Sequence, residues 1–274
     1  MRLGIFAKTF AGDDPATVLA AAKAAGFDAV HYNMACSGLA AMPDILAPAV
    51  VQAVAEAARA SGMAIAAVSG TYNMIHPDPS VRAAGLQRLG VLLAQARAMG
   101  TGMVTLCTGT RDAADQWRGH PDNGSPAAWR DLLAEMEKAI VLAEAQGILL
   151  GIEPELANVV DSPARARNLL DTMQSPALAI VLDPANLFEV ETDANRRHII
   201  AGAVDLLADR IVMAHAKDRD ALGGFATAGQ GVVDFPHFIA CLRTAGFDGD
   251  LVTHGLMAAE APAVARLLRE LTTA

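Results

Sequence analysis

Eight times along this chain a short run rich in β-branched and aliphatic residues gives way to a polar or Gly/Pro break, then to a longer Ala/Leu-rich stretch with helical spacing. The candidate strands are Leu3–Ala7, Asp28–Tyr32, Ile65–Ser69, Met103–Cys107, Leu149–Glu153, Ala179–Asp183, Ile211–His215 and Asp250–His254. Between and after them lie candidate helices at Pro15–Ala25, Ala47–Ala60, Ser80–Met99, Pro126–Gln146, Pro163–Met173, Ala194–Ala208, Phe235–Ala245 and Pro262–Leu271. Helix stops are written into AAGF, ASGM, AMGT, AQGI and TAGF, where a Gly follows each Ala-rich run and can take the left-handed conformation that closes a helix. Ser125-Pro126, Ser162-Pro163, Asp161 and Asp234 read as helix starts, with a capping oxygen near the first turn.

A helix that crosses over between two strands returns the chain to the same end of the sheet, so the strands must pair in parallel. Eight such units in 274 residues favour closure into a (β/α)8 TIM barrel, built as a single domain over residues 1–274. An open dinucleotide-binding sheet is disfavoured, because KTFAGDD follows the first strand where a GxGxxG turn would be needed.

Composition excludes several partners. Hydrophobic residues make up 53% of the chain and charged residues 19%, a balance that supports a large folded core. The net charge of −9, with no concentrated basic run, argues against nucleic acid. No apolar stretch reaches the roughly 20 residues that span a bilayer, so no membrane association is expected. Met1–Phe10 lacks the long apolar segment of a secretory signal, and a cytoplasmic enzyme is the expectation. Cys36, Cys107 and Cys241 are too few and too dispersed for a disulfide framework.

A barrel presents its chemistry at the C-terminal ends of its strands. Three successive ends carry metal-type side chains: GIEPE brings Glu153, IVLDPAN brings Asp183 and IVMAHAKD brings His215. Two carboxylates and an imidazole at one rim would suit a divalent cation, and buried carboxylates need a positive partner in any case. The alternative is an ion-pair network with Lys217 or Arg219. Elsewhere on the rim, Glu155, Asn186, Lys217 and His254 add polar groups. His76 in NMIHPDP is a candidate substrate contact, or a turn-stabilising residue beside Pro77. Trp117 and His120 lie in the long loop DQWRGHPDN, where Trp117 is a candidate cover for a sugar face. His31 reads as a strand-face residue and Cys107 as core filling.

The run GIEPE, VLDPANL, HAKD and AGQGVVDF resembles the xylose isomerase-like barrels, a family of sugar isomerases, ketose 3-epimerases, hydroxypyruvate isomerases, inosose-processing enzymes and repair endonucleases. The resemblance implies that Glu153, Asp183 and His215 hold a divalent metal. It also implies that Gly229-Gln230-Gly231 is the glycine loop that leads into the seventh helix. Two departures bear on mechanism. The family usually completes its site with a Glu at the eighth strand, where this chain has His254; as a ligand it would favour Mn, Co, Fe or Zn over Mg. Asn186 stands where many relatives have a His.

The implied activity is a metal-dependent isomerase or epimerase acting on a small sugar, or a related polyol or keto acid, by proton abstraction beside a carbonyl. Glu153, His254 and Lys217 are its candidate proton carriers, with Asn186, Trp117 and His76 as substrate contacts and a homodimer as the expected assembly. A phosphodiesterase or endonuclease-like hydrolase would need further ligands, and the Asp-x-His pair of that branch is missing after His215. A dehydratase, or a sugar-binding barrel with altered catalysis, remains an alternative.

Overall fold

After the first strand, each barrel strand follows a helix closed by a glycine or a short loop, and that local grammar sets the three-dimensional arrangement. The computed structural model describes residues 1–273. The barrel strands are β1 (Arg2–Phe6), β2 (Ala29–Tyr32), β3 (Ala64–Ser69) and β4 (Met103–Cys107). They continue with β5 (Leu149–Glu153), β6 (Leu178–Leu182), β7 (Ile211–Ala216) and β8 (Asp250–Thr253). All pair in parallel, each with its sequence neighbours, and β1 closes on β8 with Arg2 opposite Asp250 and Ile5 opposite Thr253. The expected (β/α)8 barrel is therefore the observed one.

The helices are α1 (Pro15–Ala24), α2 (Pro48–Ser61), α3 (Pro79–Met99), α4 (Pro126–Gln146), α5 (Pro163–Met173), α6 (Asp193–Leu207), α7 (Phe235–Thr244) and α8 (Ala261–Thr273). Ser125 caps α4 by accepting from Ala128 N, and Asp234 caps α7 by accepting from His237 N. At α5 the cap is Ser162, which accepts from Arg165 N, and not Asp161: the serine sits one residue before the first helical position. Gly62 and Gly147 close α2 and α4 at φ 64° and 61°, where a side chain would clash with the backbone.

Two apolar layers hold the assembly together. One lies between strands and helices and includes Val18, Leu19, Phe27, Leu92, Leu132 and Phe238. The other fills the barrel itself with Ala29, Ala67, Met103, Val181, Met213 and Val252. These side chains fill the barrel below the C-terminal rim. Sequence periodicity did not reveal a short antiparallel hairpin, Asp218–Arg219 with Phe225–Ala226, in the loop after β7. At two residues per strand it is too short to show an alternating pattern. Among the described residues no helix is long and apolar enough to cross a membrane.

Candidate metal centre and cavity

Glu153 ends β5, Asp183 follows β6, His215 lies in β7 and His254 follows β8, so four neighbouring strands aim these side chains at one point. One ligand-type atom from each lies within 4.8 Å of all the others. His215 Nδ1 is 3.2 Å from Glu153 Oε1 and 3.8 Å from Asp183 Oδ2. His254 Nε2 is 3.2 Å from Asp183 Oδ2, and the two imidazoles meet edge to face with centroids 4.5 Å apart.

Lys217 and Asn186 close this group. The Lys217 ammonium lies 3.3 Å from Asp183 Oδ2 and donates to Asn186 Oδ1 at 2.9 Å. Asn186 in turn donates to Glu153 Oε1 at 2.8 Å. The other Asp183 oxygen, Oδ1, accepts from Ala185 N at 2.9 Å, which fixes the carboxylate against the turn that follows β6. Arg219 takes no part in the cluster, since its guanidinium donates to the carbonyls of Ala185 and Gly223.

The electrostatics follow from burial and proximity. Burial raises the Asp183 carboxyl, yet Lys217, then His254 and His215, hold it well below the usual carboxylate range. Burial also pushes Glu153 upward, but His215 and then Lys217 draw it down, and the group ends lowered. His215 shows the mirror effect: burial favours the neutral ring, and Glu153 and Asp183 leave its pKa raised. His254 ends lowered, by burial first and by His215 second. Lys217 resists burial because Asp183, Glu153 and Glu155 surround it, and its pKa is raised.

The donor set suits a divalent ion. Two carboxylate oxygens and two imidazole nitrogens converge in a largely buried spot, which is the chemistry that Mn, Co, Fe or Zn accepts. Lys217 and His215 also offset the charge of the two carboxylates. His215 Nε2 is buried and has no partner among the described residues.

A cavity of about 370 Å³ opens against this cluster. Trp117 and Phe225, each about half exposed, stand at its edge on the loops after β4 and β7. Phe225 also covers Lys217, whose Nζ is 3.9 Å from the ring centroid. Glu155 lines the cavity and accepts from Asn158 Nδ2 at 3.1 Å. Burial, then Glu153, raises its carboxyl to about 7.

The candidate contact His76 and the loop residue His120 each engage their own turn. His76 accepts from Asp78 N and meets Ala113 O at 3.2 Å in a separate surface depression, so it stabilises the turn before α3. His120 receives Asp122 N through Nδ1 and caps the short turn Pro121–Gly124. In contrast, His31 is no mere strand-face residue: with Phe6, Thr105, Cys107 and Phe225 it lines the cavity. Every residue of β2 is buried, so no alternation marked His31 as inward-facing. Phe225 carried no signal either, because it depends on the unforeseen hairpin.

The sequence model of the xylose isomerase-like TIM barrel family matches residues 19–270. The chain belongs to this family. Among solved structures, this family member is similar to a 3-keto-D-glucoside 4-epimerase from E. coli, at 18% identity and a TM-score of 0.76, with 100% of both chains covered. It is also similar to an L-ribulose 3-epimerase at 18% identity and a TM-score of 0.77, covering 99% of this chain and 94% of the other. A D-psicose 3-epimerase from Clostridium cellulolyticum H10, solved with D-tagatose, matches at 15% identity and a TM-score of 0.77, with 99% of each chain covered. At these identities the likeness is one of fold. No curated protein matches the chain in sequence.

Proposed function

We propose that residues 1–274 act as one functional unit, a divalent-metal-dependent isomerase or epimerase that moves a proton beside the carbonyl of a small sugar. The convergence of Glu153, Asp183, His215 and His254 within 4.8 Å, on the floor of a sugar-sized cavity, carries this reading. Structural neighbours that are sugar epimerases support it.

In this reading those four side chains hold the ion. When bound, it supplies Lewis acidity that polarises a substrate carbonyl and so acidifies the adjoining C–H. Glu153 is the proton acceptor: Oε1 is engaged by Asn186 and His215, while Oε2 has no hydrogen-bond partner among the described residues and is left to take a proton. Lys217 Nζ, pressed between Asp183, Asn186 and Phe225, steadies the developing oxyanion or returns a proton on the opposite side. His254 Nε2 meets Asp183, and His254 is the second candidate for that return only in the alternative where it does not ligate the ion. Asn186 contacts substrate as well as Glu153, and Trp117 shields the reacting centre from water.

A sugar-binding barrel without proton transfer is the second reading, favoured by the Lys217–Asp183 pair that already satisfies one carboxylate. Solvent deuterium exchange separates the two. The metal-loaded protein, incubated in D2O with a panel of ketoses, should wash deuterium into the carbon next to the carbonyl, and Glu153→Ala should lose both the exchange and the bound metal. Absence of exchange with every ketose removes the isomerase reading, and equal near-zero metal in both proteins removes the metal centre.

A further inference from the structure

Beyond the metal side, the cavity has a second polar wall, and its character bears on substrate class. Glu153, Asn186, His215 and His254 belong to the β5–β8 half of the barrel. The facing half, β1–β4 and the residues just after them, contributes Phe6, His31, Ser69, Thr71, Thr105 and Cys107. Among the described residues this wall contains no Lys, Arg, Asp or Glu. Cys107 remains a neutral thiol because burial pushes it far up.

His31 is only 7% exposed, and its ring is fixed on both sides. Phe6 packs against it at 5.0 Å between centroids, and His215 lies at 6.0 Å with the planes 25° apart. Nε2 meets Thr105 Oγ1 at 2.8 Å, while Nδ1 has no hydrogen-bond partner among the described residues. A ring nitrogen without a protein partner, on a residue that lines the cavity, offers its hydrogen bond to a ligand atom held there.

The tautomer narrows the choice of ligand. If Nε2 donates to Thr105, Nδ1 accepts; if Thr105 donates to Nε2, Nδ1 carries the proton and donates. A hydroxyl group satisfies either state. A carboxylate or phosphate satisfies only the second, and its charge would have no counter-charge on this wall. Lys217, the one Lys or Arg lining the cavity among the described residues, is engaged by Asp183 and Asn186 on the other side.

We infer that His31, oriented by Thr105, is a specificity-determining residue that binds a hydroxyl of the substrate, so the cavity takes an uncharged ketose in preference to a phosphorylated or carboxylated one. The inference rests on the sugar-directed reading above and names the substrate class that reading leaves open.

The test uses the full-length, metal-loaded protein with D-tagatose, its monodeoxy analogues and its phosphate esters, measuring Kd by calorimetry and deuterium wash-in in parallel. In the wild type one deoxy analogue should bind about 10- to 100-fold more weakly than the parent sugar, the cost of leaving one buried polar group unpaired. The phosphate esters should bind still more weakly. His31→Phe, which keeps a planar ring but removes both nitrogens, should bind the parent sugar and that analogue equally. His31→Gln should retain part of the discrimination. Thr105→Val, a milder change, should weaken the parent several-fold and leave the analogue unaffected. Metal content equal to wild type marks each variant as correctly folded.

The inference falls if His31→Phe binds D-tagatose as the wild type does, if it weakens every analogue equally, or if phosphate esters bind as well as the free sugar. Binding with the expected pattern but without wash-in would defeat the isomerase reading and leave the hydroxyl subsite standing. Wash-in without the pattern would do the reverse, and no binding of any ketose would overturn both.

Discussion

Replacing Asp218 by Asn changes one oxygen to an NH2 group at a fully buried position where every carboxylate lone pair is in use. Oδ1 accepts from Arg219 N at 2.8 Å and Val233 N at 2.9 Å; Oδ2 accepts from Gly229 N at 3.0 Å and Gly231 N at 2.9 Å. Three of these donors, Gly229, Gly231 and Val233, tie the glycine loop to the segment just after Lys217, and the same residue pairs with Ala226 in the hairpin bearing Phe225. In Asp218→Asn two of those donors face another donor. The NH2 group will turn toward Gly229 and Gly231, whose amides are closer to solvent than that of Val233.

Each buried donor left without an acceptor costs about 1–3 kcal/mol, and the two remaining bonds lose their charge assistance. Partial access of water lowers the total, which gives a loss of roughly 2–4 kcal/mol. Asp218→Ala, which strands all four donors, should lose more. Urea unfolding reads this as a fall in midpoint at unchanged slope. The loosened hairpin should also raise KM by withdrawing Phe225 from Lys217. A loss below about 0.5 kcal/mol for Asp218→Asn, the size of an ordinary surface change, would refute the reasoning.

In metal-free protein, Glu155→Gln should gain stability relative to wild type as pH rises. The folded-state carboxyl titrates at about 7 against an ordinary 4.5, so the wild type loses stability between those values as the unfolded chain releases its proton first. At ~1.4 kcal/mol per pH unit the difference should reach roughly 3 kcal/mol by pH 8 and vanish at pH 4; a flat urea-unfolding difference across that range would contradict it. Manganese at a hundredfold excess over its Kd should stabilise the wild type by about 2.7 kcal/mol, reversibly with EDTA. An equal gain in Asp183→Asn would show that the ion binds elsewhere. His254→Glu should shift preference toward magnesium, lowering the ratio of magnesium to manganese Kd by about tenfold in competition calorimetry, and an unchanged ratio would remove His254 from the ligand set.

The fold was legible because its signals are local. Alternating element periods, Ser125 and Asp234 as caps and the glycine stops each act within one turn of chain, and the crossover rule leaves few ways to assemble eight such units. Glu153, Asp183, His215 and His254 were legible as candidates because charged and imidazole groups that end apolar strands need a partner. How they meet was not, nor which loop residues join them. His76 and His120 had the right chemistry and sequence setting, yet each is spent on its own turn. His31 sits in a strand with no polar face to mark it, and Phe225 reaches the cavity only because Asp218 folds a distant glycine loop back on itself. Residue order along the chain therefore determined the barrel and the ligand types at its rim. Tertiary structure alone decided the cavity wall, because side chains separated by up to 248 positions, from Phe6 to His254, come to line one cavity only when the eighth strand closes on the first.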